Sequence, residues 1–228
     1  MIVLPSFIVV IASLATTQLP QAESGTFELS LAGAVLITET FTRTATSIEA
    51  EQRVSIGPRV TSKARLAGGV VTEIAVNVFQ PADTVKPAMT EVVRFTADSL
   101  AIETTRRGAE VTERRAAPRG TVPFHWPFVV WMEEILRKAK AMGGASAIVS
   151  VMLLNPPQQV VGVPVTFKSP TDATMTLVLP GDTRHGIYVF KLDDHGRVLS
   201  GEMGSEIYDD DNAEVALLRS NRRVKLTR

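Results

Sequence analysis

The chain contains no cysteine among its 228 residues. That excludes disulfide staples, thiolate metal sites, a cysteine nucleophile and a lipid-modified cysteine behind a leader. It is also short of net charge, with Lys and Arg together equal to Asp and Glu at 24 each. A balanced surface argues against nucleic acid as a partner, because phosphate binding needs a predominance of basic groups. Aromatic residues make up 6%, with two tryptophans. The three histidines, His125, His185 and His195, show neither His-x-x-x-His nor His-Glu-x-x-His spacing, so no helical zinc pair is encoded. Missing too is any later apolar run of the roughly 20 residues needed to cross a bilayer as a helix.

Charge is likewise absent from Met1 to Ala22, where Ile2-Val3-Leu4 and Phe7-Ile8-Val9-Val10-Ile11-Ala12 give way to Thr16-Thr17-Gln18. An apolar core of that length followed by small and polar residues predicts a cleaved export signal over 1–22, though no Lys or Arg precedes the core. The expected location is therefore periplasmic or secreted. The rest has the 45% apolar and 21% charged composition of a globular chain, which predicts one β-rich domain over 23–208. The charged segment 209–228, with Asp209-Asp210-Asp211 and five later basic residues, reads as a tail or an edge strand.

Period-two alternation dominates from Thr26 onward. Phe27, Leu29 and Leu31 share one side, as do Val35, Ile37 and Phe41, then Ile74, Val76 and Val78, then Val93 and Phe95. Gly33, Gly57-Pro58, Gly68-Gly69, Pro81 to Asp83, Ala97-Asp98 and Gly108 punctuate these runs, which predicts about eight antiparallel strands before residue 116. Pro118 to Pro123 reads as a linker. Over 124–142 the period changes: Phe128, Trp131, Met132, Ile135, Ala139 and Met142 recur at helical spacing. Pro127 suits a first turn, Glu133 with Arg137 and Glu134 with Lys138 form four-apart pairs, and Gly143-Gly144 ends the helix. Alternation then returns in five more runs, 147–154, 160–167, 174–179, 187–192 and 197–203.

This order predicts a mainly β fold, a strongly curved antiparallel sheet or half-open barrel wrapped around one amphipathic helix, since only the sheet is available to cover the helix's apolar stripe. The layout resembles the bacterial lipoprotein-localisation carriers and their exported relatives. Its bearers are the Phe27-Glu28-Leu29 start, the Gly33 to Phe41 strand containing Glu39, the Trp126 to Met142 helix and the hairpin from Tyr188 to Leu199. The resemblance implies an apolar cavity that takes acyl chains; no carrier residue matches position by position, and the tail here is shorter and more charged.

Candidate chemistry is sparse. His185 and His195 flank one predicted strand and so stand on the order of 25 Å apart, too far for one metal. Asp193-Asp194-His195-Gly196 reads as a hairpin tip, and Asp209 to Asp211 with Glu214 lacks the glycine-spaced calcium pattern. Gly144-Ala145-Ser146-Ala147 lacks the closing glycine of a nucleophile elbow. Glu39, Glu73 and Glu91 fall on predicted strands. Glu39 shares the apolar side of its strand, and an inward carboxylate demands a partner, for which Arg43, Arg65 or Arg94 are the natural choices. The expected ligand-facing set is Phe128, Trp131, Met132, Ile135 and Glu39, with no catalytic or metal residue and no cofactor. The leading role is a non-enzymatic exported protein that binds a lipid or another hydrophobic small molecule, or assists envelope assembly. A secreted hydrolase with a carboxylate or histidine site, and a scaffold that captures a protein at an open sheet edge, are the alternatives.

Overall fold

The computed structural model describes residues 22–31, 34–83, 85–155, 158–178, 184–207 and 216–227. The proposed export signal up to residue 21 and the acidic run at 209–211 lie outside them. Eight strands come first: β1 (Glu23–Leu31), β2 (Ala34–Arg43), β3 (Ser47–Val54), β4 (Arg59–Ala67), β5 (Val70–Phe79), β6 (Met89–Phe95), β7 (Ser99–Arg106) and β8 (Ala109–Ala116). A short β9 (Val122–Phe124) leads into the helix α1 (Val129–Met142). Then follow β10 (Ser146–Leu153), β11 (Gln159–Ser169), β12 (Asp172–Val178), β13 (Arg184–Leu192), β14 (Val198–Ile207) and β15 (Ala216–Thr227).

All of these strands belong to one sheet, ordered β8 through β1 in reverse sequence, then β15 back through β9. Neighbours are antiparallel except β9, which runs parallel to β10 because its chain returns through the helix. The fold is mainly β, a curled half-barrel around a single helix. Curling follows from burial. The helix residues Val129 to Met132, Ile135, Leu136 and Ala139 are at most 1% exposed, and one core joins them to inward residues from β1 to β14. A flat sheet cannot cover a helix on several sides; the right-handed twist of a long sheet lets it close round one.

Alternation places most of the strand charges outside, with Glu39, Arg43 and Glu91 as buried exceptions. In β3 Ile48, Ala50 and Gln52 face inward while Glu49 and Arg53 face solvent. Phe27 and Phe41 stack inside with centroids 5.1 Å apart. Gly25 lies opposite Phe41 on the neighbouring strand, where a Cβ would sit 2.8 Å from the ring, so a side chain there would displace it. Trp131 is fully buried and its indole N–H donates to Ser62 Oγ at 3.3 Å, turning the ring onto β4.

Two boundaries differ from the sequence reading. The helix begins at Val129, five residues later than expected, because Val122 to Phe124 pair with β10 and are buried in the sheet; Pro127 precedes the N-cap Phe128 and lies outside the first turn. The segment 216–227 is neither tail nor edge. It pairs with β1 on one side and β14 on the other, since backbone hydrogen bonding is indifferent to the charges that made it look solvated. At the other end Gly143, with φ 78°, stops the helix as expected.

Replacing Trp131 by Ala should cost about 3–5 kcal/mol, the usual range for emptying a buried aromatic site, whereas Ser62→Ala should cost about 1 kcal/mol. Urea unfolding of the two variants measures the difference; equal effects would show that the indole does not fill the core.

Candidate functional site

The polar groups enclosed with the helix are the first place to look for function. Glu39, on the inward side of β2, is fully buried. Its Oε2 accepts the backbone N–H of Val129 at 2.7 Å and its Oε1 that of Val130 at 2.8 Å. Gln52, its neighbour on β3, donates from Nε2 to Oε2 at 3.0 Å. The helix has no side-chain cap of its own and no acid in its first turn. A strand carboxylate therefore closes the N-terminus, where free N–H groups and the positive end of the dipole favour an acceptor. Burial pushes the Glu39 carboxyl up to about 7, while the Val130, Gln52 and Val129 donors pull it down.

The expectation that an arginine pairs Glu39 is corrected. Arg43 lies on the same strand but engages Glu23 at 3.0 Å, Glu133 at 2.7 Å and Glu134 at 2.7 Å. Arg65 reaches Glu73, and Arg94 bridges Glu73 and Glu103 on exposed positions. Helix donors already satisfy both oxygens of Glu39, which removes the need for a cation.

Glu133 is the second internal anchor, 1% exposed in the middle of the helix. Its Oε1 takes Arg43 at 2.7 Å and Arg137 at 2.9 Å, and its Oε2 accepts the backbone N–H of Val198 at 2.8 Å. Strands β2 and β14, from the two halves of the sheet, are thus tied to one helical carboxylate. The expected Glu133–Arg137 pair is present, whereas Glu134 turns to Arg43. Burial raises the Glu134 carboxyl above its usual range against the pull of Arg43 and Arg137. Burial works against the Arg43 charge, yet Glu134, Glu133 and Glu23 outweigh it and hold its pKa above the ordinary value.

A third cluster clasps the curled sheet at the turn after β10. Glu91 of β6, 2% exposed, accepts a hydrogen bond from Gln158 Nε2, and Arg115 of β8 donates to the Gln158 carbonyl. Asn155 in the same turn accepts the Trp126 N–H at 2.6 Å and donates back to the Trp126 carbonyl at 3.4 Å. Glu91 Oε1 is buried without a partner. Burial pushes its carboxyl up to about 7, against Gln158 and Arg115. His125 Nδ1 is likewise buried and unpartnered, and burial drives that imidazole down to about 4.

The expected ligand set is gathered in one place but enclosed. Phe128, Trp131, Met132, Ile135 and Glu39 are all at 0% exposure, and none lines either described cleft. The larger cleft, about 430 Å³, runs along the C-terminal half of α1. Leu66, Val70, Val71, Val122 and Ala141 form its walls, with Arg43, Glu134, Arg137 and Lys138 beside them. The smaller, about 380 Å³, lies over β2 to β5 among polar residues such as Thr40, Glu49, Thr61 and Asn77. Reasoning from sequence missed this cleft because its walls come from two hairpin turns, the loop before β9 and the helix. Only Gly69 and Gly120, with φ near 76° and 78°, hint that backbone bends closely there.

Among the described residues no group of three or more His, Asp or Glu is arranged to hold a metal ion. His195 occupies the tip of a turn closed by Asp193, whose Oδ1 accepts the His195 N–H at 2.9 Å, as the Asp-Asp-His-Gly spacing predicts. The His185 side chain lies outside the described set. No family model and no curated protein matches the chain. Among solved structures it is similar to a DUF1089 family protein from Pseudomonas aeruginosa, at 12% identity and a TM-score of 0.47, over 85% of this chain and 95% of that one.

Two outcomes follow from these anchors. Glu39→Gln keeps one acceptor for the helix end and should cost about 1–2 kcal/mol; Glu39→Ala strands two buried N–H groups and should cost more. For Glu91, the folded state holds a proton between about pH 4.5 and 7 that the unfolded state has released. Its contribution is therefore full below about 4.5 and fades as pH rises to about 7. Denaturation midpoints measured across that window should fall with pH, and Glu91→Gln should flatten the slope; an unchanged slope would place the titration elsewhere.

Proposed function

We propose that this chain is a non-enzymatic binding protein for a lipophilic small molecule, acting outside the cytoplasm, with the cleft along α1 as the entrance for its guest. The observation that carries the reading is the cleft itself: about 430 Å³, the size of ligand sites generally. Aliphatic side chains of Leu66, Val70, Val71, Val122 and Ala141 share its lining with four charged residues, Arg43, Glu134, Arg137 and Lys138. Apolar area removed from water there yields about 25 cal/mol per Å², and the neighbouring Arg137 and Lys138 would orient a polar head. Phe128, Trp131, Met132 and Ile135, with Glu39, stay in the filled core and do not line the cleft.

The groups with displaced protonation also favour binding over hydrolysis. Glu39 spends both oxygens on the helix N-terminus. Glu39, Glu91 and His125 line neither described cleft, and Glu134, whose carboxyl burial also raises, borders the larger one as the ion-pair partner of Arg43 at 2.7 Å. The charge-free opening of the sequence supports export, and the resemblance in layout to lipoprotein carriers points to the same class of cargo.

Native mass spectrometry of the protein purified from its own envelope should reveal a non-covalent lipid adduct. Val70→Asp, which puts a charge into the aliphatic wall, should reduce adduct occupancy at least roughly tenfold while circular dichroism stays unchanged. An adduct-free wild-type protein, or one whose adduct survives in Val70→Asp, would overturn the reading.

A further inference from the structure

The sheet ends differ in a way that the binding role does not use. On one side β9 is three residues long, wholly buried, and contains Pro123, which has no N–H to offer. That edge is protected in the manner natural sheets use against unwanted pairing. The opposite edge, β8, is eight residues long and exposed along almost its whole length. Among the described residues it is paired on one side, with β7.

The free groups on that edge can be named. The β7–β8 hairpin turns through Arg107 and Gly108, with φ of 52° and 82°, the two-residue turn whose flanking residues exchange hydrogen bonds. Arg106 and Ala109 flank it. Parity then assigns Ala109, Val111, Glu113 and Arg115 to β7. At the far end the Ala117 N–H bonds to Asp98 O at 3.0 Å, which confirms the same parity. Glu110, Thr112, Arg114 and Ala116 therefore point their N–H and C=O groups away from the sheet.

We infer that β8 pairs antiparallel with β8 of a second copy of this chain, with Thr112 on the two-fold axis. An isologous edge contact must match outward-pointing residues with outward-pointing residues, which restricts the register to even partners. The register centred on Thr112 sets Glu110 opposite Arg114 and, by symmetry, Arg114 opposite Glu110. Shifting the centre by one residue either way sets Glu110 against Thr112 or Ala116 and loses both ionic pairs. About six new backbone hydrogen bonds form from Glu110, Thr112 and Arg114. Charges that would repel a foreign strand become complementary in this one alignment.

Sedimentation and light scattering of the full chain over a concentration series should show a dimer. Thr112→Pro removes an edge-facing N–H without touching the β7 ladder and should give a monomer with an unchanged dichroism spectrum. Arg114→Glu should weaken dimerisation roughly tenfold or more, since two pairs become repulsive; the exchange Glu110→Arg with Arg114→Glu should restore it. Because the chain has no cysteine, Thr112→Cys alone should cross-link on mild oxidation. A protein monomeric at all concentrations, or a dimer that Thr112→Pro leaves intact, would overturn the inference.

Discussion

The architecture depends on holding a helix inside a sheet by carboxylates that reach it from both directions. Glu39 projects from β2 into the helix N-terminus, and Glu133 projects from the helix to the backbone of β14. A curled sheet could cover an apolar helix at many rotations and depths, since hydrophobic burial is non-directional. Hydrogen bonds are directional. These two carboxylates, with Arg43 and Arg137 binding the second, select one placement and bring β2 and β14 to fixed distances from it. Removing either would leave buried N–H groups without acceptors, a heavier cost than the bonds' net contribution to stability.

That placement decides what the fold can do. With the helix pinned, Trp131, Met132 and Ile135 complete a filled centre, and free space is left along the helix's C-terminal half, where hairpin turns lie against it. The clasp of Gln158 and Arg115 closes the arms of the sheet from the other side. The buried carboxylates Glu39 and Glu133 are spent on architecture, and Glu134, raised by burial, borders the cleft in an ion pair with Arg43.

Much of the fold was readable because two periods differ so sharply. Alternation in four runs, with the spacing of turn residues between them, predicted about eight strands before residue 116 and five after the helix, and the Phe128 to Met142 stripe marked α1. Val122 to Phe124 was hidden, since a three-residue strand is too short to show any period. Segment 216–227 was hidden by its charges, though both its neighbours accept its backbone. Glu39 was legible as inward-facing because alternation is local. Its partner was not, because the helix end that satisfies it lies 90 residues away.

Composition and periodicity thus determined, without any coordinates, the fold class, the helix and its buried face, and the lack of thiol chemistry, because each is a property of neighbouring residues. The tertiary structure alone decided that Glu39 caps the helix, that Glu133 fastens β14, that Gln158 meets Glu91 and that a cleft opens beside α1. Each of these joins groups far apart in the chain. Their meeting is set by how strongly the sheet curls, a quantity summed over all its strands and written in none of them.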